Sequence, residues 1–282
     1  MITLTKRIND PNGIVSKFIF EDETAIVESV LYKYDDRAVI CFSVQSGCRV
    51  GCCFCGTGKR FIRNLNINEM KLQIDILLKE VNNFNKIQIM AMSMGEPLDN
   101  WEPVYRVACE YLYIGKHFFI STVGLNCDLY TEIFDLGRRY EKFGLQFSLH
   151  HYEDKKRKKL LGNYSELLDI DSIKALANSF RIITGRLAYF NYISTGNETL
   201  YEIEQILNIV KNNHITISVL CDKNGFNNGD IKKAERLYNI IIKINPKQSL
   251  KIFDPAGQDT IGGGCGQLLY VQEKLNETQE IR

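Results

Sequence analysis

Three observations predict an α/β fold built on parallel strands, either a doubly wound sheet or a full or partial barrel. Apolar runs rich in branched and aromatic residues recur along the 282-residue chain, amphipathic stretches separate most of them, and the candidate reactive motifs fall just after the runs. The runs at 38–43, 86–92, 117–122, 145–150, 186–193, 215–220 and 249–253 each read as a strand. Over 66–81 the residues Ile67, Met70, Ile74, Leu77, Leu78 and Val81 share one helical face, and 198–212 and 230–244 repeat that pattern. Residues 1–37 read as an N-terminal extension in which 25–32 form a strand or hairpin. Only five prolines occur, and no linker or internal repeat divides the remainder, so one core is expected over 38–268, followed by a tail at 269–282.

Composition narrows the class. With 45% hydrophobic residues the chain is globular, which excludes disorder and a fibrous fold. Thirty-five Lys plus Arg against 34 Asp plus Glu leave a net charge of +1. A surface that grips nucleic acid by bulk charge is thereby excluded, and a nucleic-acid partner has to be recognised by a local groove. No stretch approaches the roughly 20 apolar residues of a membrane span. Met1 to Asp10 is polar and lacks the hydrophobic centre of a signal peptide, so a cytoplasmic protein is expected, with no membrane partner and as a monomer.

Cysteine chemistry is the first functional lead. Nine cysteines is an odd count, and Cys48, Cys52, Cys53 and Cys55 crowd together in a way that suits a metal cage better than a disulfide framework. Cys48, Cys52 and Cys55 have the spacing C-x-x-x-C-x-x-C just after the first core strand. Three thiolates on one short loop can hold three irons of a four-iron cluster and leave the fourth open for another ligand. Read from spacing alone, a zinc cage or an accidental run of cysteines stays open. Met94-Gly95-Glu96-Pro97-Leu98 follows the second core strand; by itself it reads as a Gly-Pro turn.

The cysteine spacing resembles the radical S-adenosylmethionine (SAM) superfamily, and the Gly95-Glu96 pair stands where that superfamily receives the SAM amino group. More specifically, the chain resembles the RlmN and Cfr family of RNA adenine methyltransferases from about Glu28 to Leu268. The matching motifs are Val27-Glu28, Cys41 seven residues before Cys48, Phe54-Cys55, Phe61 to Leu65, Met94 to Leu98, Ser121 to Gly124, Ser148-Leu149-His150, Gly196-Asn197 and Cys265-Gly266-Gln267-Leu268, all in family order. The resemblance implies a partial (β/α)6 TIM-like barrel and two cofactors, a 4Fe-4S cluster on Cys48, Cys52 and Cys55, and SAM. It further implies that Cys265 is methylated by one SAM, that its methyl group is activated by the radical from a second, and that it is then joined to an adenine ring carbon. Glu28 corresponds to the family's proton acceptor and Cys41 to the thiol that resolves the adduct through a transient disulfide with Cys265.

For SAM the carry-over gives Gly95, Glu96, Ser121, Ser148, Leu149 and His150. The family's Asn falls best on Asn224, in a segment that lacks the family's two prolines. Read without the family, Glu28 is a surface acid, Cys41 a buried small hydrophobe and His150 a satisfied histidine at a strand end. Cys265 stands apart, because Gly262, Gly263, Gly264 and Gly266 surround it with a flexible loop suited to a mobile thiol.

The chain departs from the family in its RNA-binding parts. Only 27 residues precede Glu28, too few for the family's N-terminal domain, and 253–261 carries no Lys or Arg. The basic run Lys155-Lys156-Arg157-Lys158-Lys159 reads as a solvated face, with an active-site rim as the alternative. RNA is the expected substrate and a flavodoxin-like or ferredoxin-like protein the expected electron donor. Two other readings stay open: the same scaffold acting on a small molecule, nucleotide or peptide, and a non-catalytic iron–sulfur or zinc module. Cys53, Cys109, Cys127 and Cys221 are expected to serve packing.

Overall fold

The computed structural model describes residues 1–221, 230–264 and 267. Six strands, β4 (Ala38–Phe42), β7 (Ile87–Ala91), β8 (His117–Thr122), β9 (Phe143–Ser148), β10 (Tyr189–Ile193) and β11 (His214–Ser218), pair in parallel in that order, and β12 (Leu250–Phe253) adds a seventh parallel strand. Helices α1 (Ile67–Lys79), α2 (Trp101–Tyr113), α3 (Tyr130–Arg139), α4 (Asp154–Leu160), α5 (Ile170–Thr184), α6 (Leu200–Val210) and α7 (Ile231–Ile244) make the crossovers. The expected partial (β/α)6 barrel is present, extended by β12.

Residues 1–37 form more than one hairpin. β1 (Thr3–Asn9), β2 (Val15–Glu21) and β3 (Ile26–Lys33) run antiparallel and join the same sheet through β3 against β4. β1 lacks a hydrophobic face because nearly all of it is exposed, and β2 lacks alternation because all but its last residue are buried; both therefore evade a period-two reading. A small hairpin, β5 (Gln45–Gly47) with β6 (Phe61–Asn64), brackets the cysteine loop.

Helix starts follow local chemistry. Asn66 and Glu69 form a reciprocal capping box at α1, as do Thr199 and Glu202 at α6. Ile40, Phe42, Ile89, Ala91, Phe118, Ile120, Leu145, Phe147, Phe190, Ile215 and Ile217 point outward under the helices and are fully buried. The alternate residues face a lumen lined by Val39, Cys41, Gln88, Met90, Phe119, Gln146, Tyr189, Asn191, Thr216 and Ser218 around a cavity of about 240 Å³. The barrel thus has an apolar jacket and an interior of mixed apolar and polar side chains that do not fill it.

One buried amide fastens the first helix to the extension and the barrel. Gln73 on α1 accepts from Ser29 Oγ (2.7 Å) and from the Ser43 backbone N–H (2.9 Å), and donates to the Ser43 carbonyl (3.1 Å). Gln73→Leu strands these groups in an apolar layer and is expected to destabilise the fold by about 2–4 kcal/mol, measured as a lower denaturant midpoint with an unchanged slope.

Candidate active site

The sequence-predicted residues gather at the C-terminal end of the barrel, where backbone ladders stop and loops begin. Cys41 on β4 pairs in register with Val30 on β3, and both line the lumen. Glu28 lies two residues from Val30 on the same face of β3, which sets it diagonally across from Cys41. Cys41, Cys55, Ser93, Asn191, Gly263 and Gly264 line one cavity. Cys265 and Asn224 lie outside the described residues, but Gly264, which precedes Cys265, belongs to this wall.

Glu28 is not the surface acid of the bare reading. It is fully buried, and its Oε2 stands 2.9 Å from Nζ of Lys17, which is itself only 3% exposed. Its carbonyl accepts from Ser43 Oγ and Ser93 Oγ, both at 2.6 Å, and its N–H donates to Met94 Sδ at 3.2 Å. Sequence reasoning missed Lys17, because one lysine in a strand normally points to water. Burial pushes the Cys41 thiol up to about 12.

The loop that follows β4 holds Cys48, Cys52 and Cys55, all partly buried, and Cys53, which is exposed. Cys48 N–H donates to the Arg60 carbonyl, Cys55 N–H to the Cys52 carbonyl and Cys53 N–H to the Leu160 carbonyl at the end of α4. Gly162 permits that seat, since a Cβ there would lie 2.3 Å from the Val50 carbonyl oxygen. Among the described residues no three Cys, His, Asp or Glu side chains converge closely enough for a single ion. A cluster several ångströms across takes its thiolates further apart, so the three-cysteine loop fits a cluster better than a zinc cage.

Gly95 has φ +100°, and a Cβ there would stand 2.7 Å from that of Gln45, so glycine is required. The Glu96 carboxylate turns inward: it accepts the N–H of Leu98 (3.0 Å) and the N–H of Val123 (2.9 Å), tying the loop after β7 to the end of β8. Burial raises its pKa to about 7 against these lowering hydrogen bonds. Ser121 Oγ accepts from Gln146, and the Ser148 carbonyl accepts from Arg157 at 3.2 Å. Leu149 is buried, its N–H on the Asn191 carbonyl.

His150 departs from the satisfied-histidine reading. It has left the strand with φ 56°, sits 7% exposed edge-on to Phe54 of the cysteine loop at 5.0 Å, and its Nδ1 is buried without a partner. Burial first and the Arg157 charge second lower its pKa to about 3, so the ring is neutral. An orphaned polar atom beside the cysteine loop, in a wall formed by strand ends, is what a bound SAM would satisfy.

Arg157 was hidden in the basic run. Lys155, Lys156, Lys158 and Lys159 are exposed as expected, but Arg157 is fully buried and bonds the carbonyls of Val123, Ser148 (3.2 Å) and Leu168 (3.0 Å). Its spacing to Leu160 and Leu161, three and four residues on, places it on the apolar side of α4 and was the available signal.

A model of the radical SAM superfamily matches residues 42–190. A "probable dual-specificity RNA methyltransferase RlmN" of Clostridium acetobutylicum is 29% identical over 97% of this chain and 81% of the relative. One of Clostridium botulinum (strain Eklund 17B / Type B) is 30% identical over 93% and 77%. The crystal structure of a radical SAM methyltransferase from Sphaerobacter thermophilus superposes with a TM-score of 0.80 at 25% identity, over 94% of this chain and 80% of that one. Streptococcus suis SuiB bound to SAM shares the fold alone, with a TM-score of 0.60 at 13% identity over 82% and 54%. Among the described residues no helix is long and apolar enough to cross a membrane.

Two pH effects follow from the burial of these groups. Because the folded pKa of Glu96 is about 7 against an ordinary 4.5, the folded state holds the extra proton between those values and stability falls as pH rises across that window. Glu96→Gln is expected to flatten this fall, worth up to about 3 kcal/mol, in denaturant titrations at pH 5 and pH 7.5. Alkylation of Cys41 should quicken about tenfold per pH unit from 7 to 10 without a plateau, followed by peptide mass spectrometry.

The motif order, the barrel and the relatives agree: the chain belongs to the radical SAM superfamily, whose members use a 4Fe-4S cluster and SAM, and within it to the RlmN-type methyltransferases.

Proposed function

We propose that this enzyme methylates an sp² ring carbon of adenine in RNA through a methyl-cysteine on Cys265. The observation that carries the reading is the single cavity shared by Cys41, Cys55 and Gly264, with Glu28 on the same face of the neighbouring strand. Cys48, Cys52 and Cys55 are the proposed cluster ligands, and the walls at Gly95, Glu96, Ser121, Ser148, Leu149 and His150 the proposed SAM site, with Asn224 as a further contact. Cluster and SAM together supply a hydrogen-abstracting radical.

The protein's own residues then have separable tasks. Cys265 carries the methyl group, Glu28 takes the ring proton of the adduct, held in direction by Lys17, and Cys41 forms the disulfide that frees the product. The raised pKa of Cys41 means that the thiol loses its proton only as it attacks. The relatives named as RNA methyltransferases support RNA as substrate. Absence of Lys and Arg from 253–261 favours a small nucleotide as the second reading. A flavodoxin-like or ferredoxin-like protein is proposed as electron donor.

Anaerobic enzyme with a reconstituted cluster, given methyl-labelled SAM and either adenosine-containing RNA fragments or free nucleosides, separates the readings by where the label goes. Cys265→Ala should retain the cluster absorption and lose all transfer; Cys41→Ala should accumulate a covalent protein–substrate adduct. Transfer by Cys265→Ala at the wild-type rate defeats the methyl-cysteine route. Glu28→Gln leaves Lys17 buried without its partner and costs about 3–5 kcal/mol, so it is compared with the Lys17→Met, Glu28→Gln double variant.

A further inference from the structure

The lower half of the lumen, away from the cysteine loop, has features that the proposed reaction does not use. There the cavity is lined by Tyr34, Arg37, Gln88, Tyr189, Thr216 and Lys251. Thr216 on β11 and Lys251 on β12 are register partners. Thr216 is 5% exposed and its Oγ1 is buried with no hydrogen-bond partner. A buried hydroxyl that faces a cavity without a partner, beside a lysine in register with it, calls for a ligand there.

The charged side chains that line this part of the cavity, Arg37 and Lys251, are both cations. Among the described residues no carboxylate lies within ion-pair distance of Lys251; desolvation, then the like charges of Arg37 and Lys86, pull its pKa down. Arg37 stacks on Tyr34 with its guanidinium carbon 4.8 Å from the ring centre, and its own acid, the exposed Asp36, bonds it at 2.7 Å. Asp254, beyond the end of β12, lies within electrostatic reach of Tyr34, and its side chain accepts from Gln258 Nε2 at 2.6 Å. The rings of Phe119 and Tyr189 also line the cavity, in edge contact at 5.8 Å, and Tyr189 packs on His214 at 4.9 Å. Gly144 leaves room for Phe119, where a Cβ would meet the ring at 2.2 Å. A lysine without a carboxylate partner among the described residues, next to an unpartnered hydroxyl and with a guanidinium nearby, is the complement of a compact anion.

We propose that the lower lumen binds a phosphate-class oxyanion, held by Lys251 and Arg37 with Thr216 Oγ1 donating to it. The anion is either free inorganic phosphate or the phosphate of a small monoester whose body extends up the lumen. A cavity of about 240 Å³ leaves room for such a body.

The test is isothermal titration of the full chain with its cluster, under anaerobic conditions and at constant ionic strength, with inorganic phosphate, ribose 5-phosphate and uncharged ribose. Saturable one-site binding of phosphate or of ribose 5-phosphate, but not ribose, is expected. Tighter binding of ribose 5-phosphate supports a monoester; equal affinities support the free anion. Lys251→Met should weaken binding at least tenfold and Thr216→Val severalfold, Lys251→Arg should restore it to within threefold, and Lys243→Met on the exposed side of α7 should change nothing. Binding by Lys251→Met equal to wild type, ribose binding as well as its phosphate, or no saturable binding of either anion overturns the proposal. If Lys251→Met does not fold, Thr216→Val decides. No turnover is needed, so the result stands apart from the methyltransferase reading.

Discussion

A single buried guanidinium holds the working end of the barrel. Parallel strands expose unpaired carbonyls where their ladders stop, and buried carbonyls need donors. Arg157 donates to those at the ends of β8 and β9 and to one just before α5, from a helix of seven residues that cannot be stable by itself. The clamp fixes α4, and α4 in turn seats the cysteine loop through the Cys53 to Leu160 hydrogen bond and the Gly162 approach. Placement of the three cysteines therefore rests on a cation that does not touch them directly. Its charge also lies within electrostatic reach of Cys52 and Glu96.

The same end of the barrel is desolvated, and that decides protonation more than any single partner does. Burial keeps Cys41 a thiol and His150 a neutral imidazole, and lifts Glu96 into the range where it exchanges a proton near neutrality. A neutral His150 can accept or donate one hydrogen bond to a ligand without adding charge. A Cys41 held as a thiol is a poor nucleophile at neutral pH, which suits the resolving role proposed for it.

The outward-facing half of each strand was legible in the sequence, because Ile89, Phe118, Leu145, Phe190 and Ile217 are continuous with the apolar runs and the helices between them keep their period. The polar lumen was not, since Gln88, Asn191 and Thr216 interrupt those runs as ordinary polar residues do. Strand β9 ends at Ser148 rather than at residue 150, because His150 turns into the left-handed region. The family motifs located Glu28, Cys41, Gly95, Glu96 and His150, but not their partners. Lys17, Gln73 and Arg157 are polar residues committed to burial by tertiary contacts, and one-dimensional patterns assign such residues to water.

The pair between Lys17 and Glu28 is hard to explain by stability. Two charges with 3% and 0% exposure lose their hydration, and well-packed apolar residues of similar volume are commonly as stable or more so. Here the cost falls on β3 diagonally across from Cys41, with the Glu28 backbone immobilised by Ser43, Ser93 and Met94. A carboxylate that must meet one proton at one position benefits from a fixed direction, which a buried ammonium at 2.9 Å provides and an aqueous partner does not. The ion pair is therefore hard to account for as a support of the fold, and it fits the proton-accepting role proposed for Glu28.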